Sequence, residues 1–305
     1  MTKEQMLEIF DNGANYTWTL YFFTINKHAK NPYRAYKVKM KDVNMVTNYA
    51  NNLLRCVKEF QLDKIDNVQE YDGANPNLTC DTLSVTNDLI KDNWNNLVRQ
   101  ISEPSTTELK NKIKGYVVVG QPKNDGGASF SLFKIANPIF NVNDKKSQVY
   151  KKNNEELDPF SDDLYRLYLT ADFFVVGEDL YTLNYKFEDI FDMEKTLQKL
   201  KADSVNEILS LNCFKGDEFK EYITSYSHPK TFITLNKERM DRMKDEGERK
   251  KIAETLKITI NEACEFENLT NEQSLLLIKY LCYKILKDGE SGNLFEVSQA
   301  VKLEI

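Results

Sequence analysis

The chain has 305 residues, of which 41% are hydrophobic and 11% aromatic, so it can bury a substantial core as one large domain or two smaller ones. Its 16 tyrosines and 17 phenylalanines exclude a disordered protein, because disordered segments contain few aromatic residues. The formal net charge of −6 disfavours a protein that coats nucleic acid or an anionic membrane with its whole surface, and it leaves room for a local basic patch.

Neither a membrane anchor nor a metal site is predicted. The most apolar run, residues 275–286, includes Lys279 and Lys284, and it is far shorter than the roughly 20 residues of a bilayer span. The N-terminus lacks the basic and apolar regions of a signal peptide. The five cysteines form no CxxC pair and the chain has two histidines, so we expect no zinc site, no cofactor, and reduced thiols in a cytoplasmic protein.

The first half of the chain mixes helices and strands. Thr2 and Gln5 have the spacing of a capping box, which predicts a helix over residues 3–10. The clearest hairpin lies at residues 115–135, where two apolar strands flank a turn with two glycines. Hydrophobic periodicity predicts the other elements, which are strands at 17–25 and 35–41 and helices at 45–60 and 87–101.

The second half follows a polar, charged stretch at residues 141–163, which we interpret as a linker. A second hairpin then leads into a helix over residues 187–200. A second capping box, Thr270 and Gln273, opens an apolar helix that we expect to end near Gly289. The remaining predictions are helices within 203–250, a strand at 255–266 and a final strand at 294–305.

Together these elements predict a mixed α+β fold. We expect an N-terminal domain of residues 1–150 and a C-terminal domain of residues 151–305. Each half would be built on a β-hairpin or small antiparallel sheet packed with helices. The sequence contains no internal repeat and no low-complexity tract.

No stretch of the sequence carries a convincing catalytic motif. The glycines of the first hairpin turn are followed by Ala128 and Ser129, not by the Lys-Ser or Lys-Thr of a P-loop. His228 lies close to Ser225, but so local a pair rarely forms a catalytic dyad, and we expect a residue at a helix boundary. The acids within 188–194 suit the first turn of a helix, where they complement the helix dipole.

Two basic features are candidate DNA-binding surfaces. In the predicted strand at 35–41, Lys37, Lys39 and Lys41 project from the same face. Residues 228–257 hold nine cations and six acids, and clustered cations neutralise DNA phosphates without reading sequence. The candidates in this second feature are Lys237, Arg239, Arg242, Lys244, Arg249, Lys250 and Lys251. The alternative is an ordinary solvated helix with i,i+4 ion pairs.

Residues 171–195 combine an apolar strand, a tight turn and a helix start, namely DFFVV at 172–176, LYTLN at 180–184 and FEDIF at 187–191. In these features, and in its length and mixed first half, the chain resembles the B component of the Kiwa anti-phage defence system, the KwaB family. The resemblance implies a non-catalytic cytoplasmic effector that is a homodimer and binds DNA. It also implies docking on KwaA, a small transmembrane partner, at the inner face of the cell membrane.

The leading hypothesis is an anti-phage defence protein that binds phage DNA without cutting it and blocks replication or late transcription together with its membrane partner. A divergent metal-dependent nuclease is the first alternative. The Glu-x-Lys sequences at 108–110 and 218–220 have the letters of such a site, but they lie in predicted helices or loops. The second alternative is a protein-interaction scaffold with no affinity for nucleic acid.

Overall fold

A computed structural model describes residues 2–74, 78–106, 113–124, 126–140, 150–153, 156–159, 164–287 and 294–296. The chain has an α+β fold, as the sequence predicts. Two compact units make up the chain. The N-terminal unit holds Met1–Glu70 and Leu78–Met193, and the C-terminal unit holds Tyr71–Asn77 and Glu194–Ile305.

The strands have the bounds β1 (Tyr16–Ile25), β2 (Tyr33–Lys37), β3 (Asn67–Glu70), β4 (Thr79–Ser84), β5 (Ile113–Pro122), β6 (Phe130–Lys134), β7 (Ile139–Phe140), β8 (Tyr150–Asn153), β9 (Glu156–Pro159), β10 (Leu164–Tyr165), β11 (Phe173–Val176), β12 (Asp179–Thr182), β13 (Ile285–Lys287) and β14 (Leu294–Glu296). Eight of them form the central sheet of the N-terminal unit, in the order β2-β1-β5-β6-β11-β12-β4-β3. In this sheet β3 and β4 are parallel and all other neighbours are antiparallel. Three antiparallel pairs stand apart from it, β7–β10, β8–β9 and β13–β14.

The helices have the bounds α1 (Lys3–Asp11), α2 (Val43–Val57), α3 (Lys91–Ser102), α4 (Lys186–Ile190), α5 (Met193–Leu209), α6 (Glu218–Ser225), α7 (Lys237–Arg242), α8 (Glu246–Leu256) and α9 (Asn271–Leu281). A π-helical turn at Lys58–Leu62 continues α2. Both predicted capping boxes are confirmed, because Thr2 and Thr270 accept the backbone N–H of Gln5 and Gln273, whose side chains bond back to the cap.

Alternation along the strands gives the central sheet two apolar faces. On one face, Trp18 and Phe22 of β1 pack into a core with residues of α1 and α2. On the other face, the rings of Phe133 and Phe173 stack with centroids 4.5 Å apart, and Phe133 also contacts Trp94 of α3. The sheet therefore has helices on both faces, and β2 forms one of its edges.

The core of the C-terminal unit is mainly helical. Ile208 of α5, Phe219 and Ile223 of α6, and Leu277 and Ile278 of α9 are all buried in one cluster. The apolar periodicity of these helices therefore serves packing. We assign these five residues to the core and not to a catalytic or binding site.

A short segment of the chain, Tyr71–Asn77, belongs to the C-terminal unit although it precedes most of the central sheet in sequence. Asp72 forms an ion pair of 2.5 Å with Lys284, and both side chains are largely buried. Gly73 has φ of +79°, and a Cβ at this position would lie 2.9 Å from the Cβ of Lys230. Only glycine fits such backbone without strain, so Gly73 lets the segment pack closely.

The predicted strand at 255–266 is wrong. Helix α8 continues to Leu256, and Lys257 ends it in the left-handed conformation with φ of +55°. Beyond it, in the described chain, Ile260 and Phe266 form an isolated antiparallel bridge rather than a strand. The β-branched residues that suggested a strand therefore lie mostly in irregular chain, where Cys264 also has a positive φ of 57°.

Two predicted helices have different bounds in the structure. The helix over 187–200 is divided into α4 and α5, because Asp192 has φ of +49° and interrupts the turns. Helix α9 ends at Leu281, not near Gly289, which lies outside the described residues. Tyr283 has φ of +57° and turns the chain into β13.

The predicted division after residue 150 differs from the observed one, which falls between Met193 and Glu194. The first hairpin is present as β5–β6, and the second as β11–β12. Strand β11 pairs with β6, and β12 pairs with β4, so both hairpins belong to one sheet. The sequence predicts each hairpin correctly, but the pairing of one hairpin with the rest of the sheet depends on residues far apart in the chain.

Several predictions fall on residues outside the described part of the chain. These are most of the linker at 141–163, the Glu-x-Lys sequence at 108–110 and the final strand beyond Glu296. Within the linker, β8 and β9 are described and pair with Tyr150 opposite Pro159. The start of the final strand is present as β14.

Candidate nucleic-acid interface

The β1–β2 hairpin positions the first of the two predicted basic features. In its register Phe22 lies opposite Tyr36, and Thr24 lies opposite Arg34. The turn is closed by the backbone N–H of Asn26, which donates to the carbonyl of Pro32 over 2.7 Å. We call residues 27–41 the β2 basic segment, because they comprise the hairpin turn, the edge strand β2 and the four residues that follow it.

The β2 basic segment carries six cations and no acid. The cations are Lys27, Lys30, Arg34, Lys37, Lys39 and Lys41, and all six are solvent-exposed. Their total charge of +6 contrasts with the net charge of −6 of the whole chain. Lys27 pairs with Asp192 over 3.2 Å, and the other five form no ion pair with any described residue. The segment is therefore a concentrated source of positive potential.

The predicted alternation of basic and apolar residues is seen in the burial of this stretch, although the hydrogen-bonded strand ends at Lys37. The backbone N–H of Val38 still bonds to the carbonyl of Leu20, so the chain stays beside β1 as far as Val38. Val38 and Met40 pack against the apolar core, which leaves the alternating lysines in solvent. Packing of the apolar residues thus fixes the direction of the basic ones.

In the second predicted feature, residues 228–257, most of the candidate cations have partners inside the protein. Arg249 is the clearest case. This side chain is only 8% exposed. Its Nε donates to the carbonyl of Cys264 over 2.7 Å, and one of its terminal nitrogens donates to the carbonyls of Met243 and Lys244. Arg249 therefore satisfies three backbone carbonyls of the C-terminal unit, and its assignment to a DNA-binding surface is wrong.

Arg239 has a similar internal role. Its guanidinium lies 4.5 Å from the ring centroid of Tyr280 and 4.0 Å from that of Tyr283, and it donates to the carbonyls of Tyr280 and Ile285. Burial lowers the pKa of Arg239, but an arginine stays charged at any physiological pH. The residue links the end of α9 to β13, so its half-buried guanidinium has an internal structural role that the sequence prediction did not include.

Three more cations of this feature are paired with acids on the same helical surface. Each pair spans three or four residues, namely Arg242 with Glu238 at 2.8 Å, Lys244 with Asp241 at 2.6 Å and Lys251 with Glu248 at 2.6 Å. Lys237 and Lys250 are exposed and form no ion pair with a described residue. The interpretation as a solvated helical surface with local ion pairs therefore fits this region better than a phosphate-binding surface.

The structure also shows the positions of Ser225 and His228, the pair considered as a catalytic dyad. The Ser225 hydroxyl donates to the carbonyl of Glu221, while His228 precedes the 3₁₀ turn Pro229–Thr234 and packs against the Tyr226 ring. The prediction of a helix-boundary histidine is confirmed. In the described part of the chain, no group of histidine, cysteine and acidic side chains has the spacing of a metal site, and no helix has the length and apolarity to cross a membrane.

All five cysteines are free and buried, as the sequence predicts. Burial raises the pKa of Cys213 to about 11, and it raises the pKa of Cys80 and of Cys282 to about 12. A thiol with so high a pKa is protonated at neutral pH, and the thiolate is the reactive form. These three thiols are therefore poor nucleophiles.

Comparison of the chain with protein-family models, with curated proteins and with solved structures finds no match. The functional assignment accordingly depends on the local geometry and charge described above. The sequence prediction covers part of the strongest feature, because it assigns Lys37, Lys39 and Lys41 to the candidate surface, places Arg34 near them, and leaves Lys27 and Lys30 in a lysine-rich loop outside it. The missing signal was the absence of any acid from the whole β2 basic segment.

Proposed function

We propose that this chain binds DNA through the phosphates, without cutting it, as an anti-phage defence effector of the KwaB type. The observation that carries the proposal is the β2 basic segment, in which six exposed cations follow one another with no acid among them. Phosphate contacts from lysine and arginine provide affinity that does not depend on base sequence. Such binding suits a protein that obstructs replication or late transcription along phage DNA.

The resemblance of residues 171–195 to the KwaB family supports the wider proposal. On that resemblance the protein is a cytoplasmic homodimer that docks on the small transmembrane partner KwaA and is recruited to the inner face of the membrane. Dimerisation would double the number of basic segments in each particle. That doubling would offset the repulsion between DNA and an acidic chain.

Fluorescence anisotropy of a labelled DNA duplex, titrated with the protein at several salt concentrations, tests the proposal. Each phosphate contact contributes about −0.9 to the slope of log K against log salt, so six contacts predict a slope of about −5. The DNA should stay intact with and without Mg²⁺. Loss of intact DNA only with Mg²⁺ would favour the nuclease, and no binding at low salt would favour the scaffold.

A further inference from the structure

The β1–β2 hairpin contacts residues 190–192, where α4 ends. The hydroxyl of Tyr33, a residue only 1% exposed, donates to the carbonyl of Ile190 over 2.7 Å. Lys27, in the hairpin turn, forms its ion pair of 3.2 Å with Asp192. Both contacts lie within the N-terminal unit. The hairpin turn, which begins the β2 basic segment, is therefore held beside Asp192.

The backbone around Asp192 is fixed by contacts of its own. The carbonyl of Phe191, a fully buried residue, accepts the side-chain amide of Asn93 over 2.5 Å. Asp192 itself has φ of +49°, in the left-handed region that aspartate and asparagine adopt more readily than most other residues with a side chain. The side chain of Asp192 is 21% exposed and that of Lys27 is 41% exposed. The ion pair thus lies at the surface, on a fixed turn.

Asp192 offers Lys27 the same kind of partner as DNA does. The β2 basic segment has no acid of its own, and within the described residues Asp192 is the acid that pairs with one of its six cations. A carboxylate and a phosphate both present anionic oxygens to a lysine ammonium, so they compete for it. An ion pair this exposed to solvent is weak, so a phosphate can displace the carboxylate.

We propose that Asp192 competes with DNA phosphate for Lys27. In the free protein Lys27 is held on Asp192, and DNA binding transfers it to a phosphate. This inference rests on the proposed DNA binding and adds an internal restraint on its affinity. The ion pair has to break before Lys27 contacts DNA, and the freed carboxylate then repels the phosphates. The affinity is therefore lower than six unpaired cations would give.

Asp192→Asn tests the competition, because asparagine removes the charge and tolerates the left-handed backbone. Anisotropy on the DNA duplex should show about threefold tighter binding at each salt concentration. The slope of log K against log salt should stay within about 0.3 of the wild-type slope, because both complexes contain the same phosphate contacts. Asp189→Asn is the matched control, since Asp189 is an exposed acid three residues earlier that pairs with no described cation. It should change affinity less than about 1.5-fold.

The same substitution in a Lys27→Gln background identifies the partner. Lys27→Gln alone should make the slope shallower by about 0.9, as expected for one lost phosphate contact. With no ammonium left to release, Asp192→Asn should then change affinity less than about 1.5-fold. A purely structural effect of Asp192 would be the same with and without Lys27. Circular dichroism checks that every variant is folded.

The outcomes separate this inference from the proposed function. If the wild type binds the duplex and Asp192→Asn binds no more tightly than Asp189→Asn, the competition is overturned and DNA binding stands. An equal gain in the Lys27→Gln background overturns it too, as does a slope steeper by about 0.9, which would mean that Lys27 stays on Asp192 in the wild-type complex. If the wild type does not bind the duplex, both proposals fail. Should Asp192→Asn not fold, Asp192→Gly takes its place, because glycine adopts the same φ without strain.

Discussion

The two basic regions of this protein both hold many cations, but they differ in how those cations are partnered. The β2 basic segment, residues 27–41, has no acid and exposes all six of its cations. Residues 228–257 contain more cations, but Arg249 and Arg239 bond to backbone carbonyls and three others pair with acids on the same helical surface. A count of charges therefore does not locate a phosphate-binding surface.

Acid content and secondary structure together explain the difference. On a helix, residues three and four apart are neighbours, so an acid such as Glu238 meets Arg242 even though the sequence separates them. On an extended chain, alternate residues share a face, so Lys37 and Lys39 lie together while Val38 is turned into the core. Helical spacing beside acids therefore gives local neutralisation in residues 228–257, whereas an extended segment without acids gives a concentrated field.

The largest expected effect is on stability and concerns Arg249→Met. The change leaves the carbonyls of Cys264, Met243 and Lys244 without their donor, so we expect the free energy of unfolding of the C-terminal unit to fall by about 4 kcal/mol. Urea unfolding followed by far-UV circular dichroism measures this loss. Both tryptophans, Trp18 and Trp94, lie in the N-terminal unit, so their fluorescence reports that unit separately.

Lys250→Met is the matched control, since Lys250 is the next residue of α8 and is exposed. Its effect should stay within about 0.5 kcal/mol. If Arg249→Met instead left stability unchanged and abolished DNA binding, Arg249 would belong to the DNA-binding surface after all. The distinction between the two basic regions would then collapse.

The second prediction concerns DNA binding and compares two triple variants. Replacing Lys37, Lys39 and Lys41 by Gln should make the slope of log K against log salt shallower by about 2.7, because each lost phosphate contact contributes about 0.9. Between 50 and 200 mM salt, the wild type should then lose about 40-fold more affinity than the variant, which corresponds to about 2.2 kcal/mol. Anisotropy on the DNA duplex measures both slopes.

The matched control replaces Arg242, Lys244 and Lys251 by Gln. This variant removes the same total charge from the chain, but from cations that already have acidic partners. We expect its slope to change by less than about 0.5. Equal changes in the two variants would show that the protein responds to net charge alone and that neither region is a specific contact surface.

The third prediction is that Arg239→Leu lowers the free energy of unfolding of the C-terminal unit by about 2 kcal/mol and changes duplex affinity less than about twofold. The variant loses the bonds to the carbonyls of Tyr280 and Ile285 and the contact with the Tyr283 ring, while leucine still fills part of the space. The helical circular dichroism signal in urea gives the stability. A tenfold loss of affinity in a stable, folded variant would count against the internal role.

The sequence predicts the local features of this fold well. The capping boxes at Thr2 and Thr270 and the hairpins β5–β6 and β11–β12 are determined by residues close together in the chain, so their patterns are visible without a structure. The alternation around Val38 is of the same kind. Of these features, the alternation around Val38 is the one on which the candidate interface depends.

The errors arise where distant residues decide. The pairing of β11 with β6 and of β12 with β4 joins both hairpins in one sheet, and no local pattern encodes it. The burial of Arg249 depends on a carbonyl fifteen residues away, at Cys264. The stacking of Tyr165 on Phe22 likewise joins residues that are remote in the sequence.

The smallest expected effect concerns the exposed ion pair between Arg242 and Glu238. The side chains are 51% and 66% exposed, and hydrogen bonding to Glu238 raises the pKa of Arg242. An i,i+4 pair in this setting contributes about 0.3–0.5 kcal/mol, since solvent screens it and ordering two long side chains costs entropy. A double-mutant cycle with Arg242→Gln and Glu238→Gln, followed by urea unfolding, measures the coupling. At 1 M salt the Debye length falls to about 3 Å and the coupling should nearly vanish. A coupling above about 1 kcal/mol that persists at high salt would mean that the pair is part of a rigid, desolvated network. The helical spacing would then hold these cations in fixed positions, in addition to neutralising their charge.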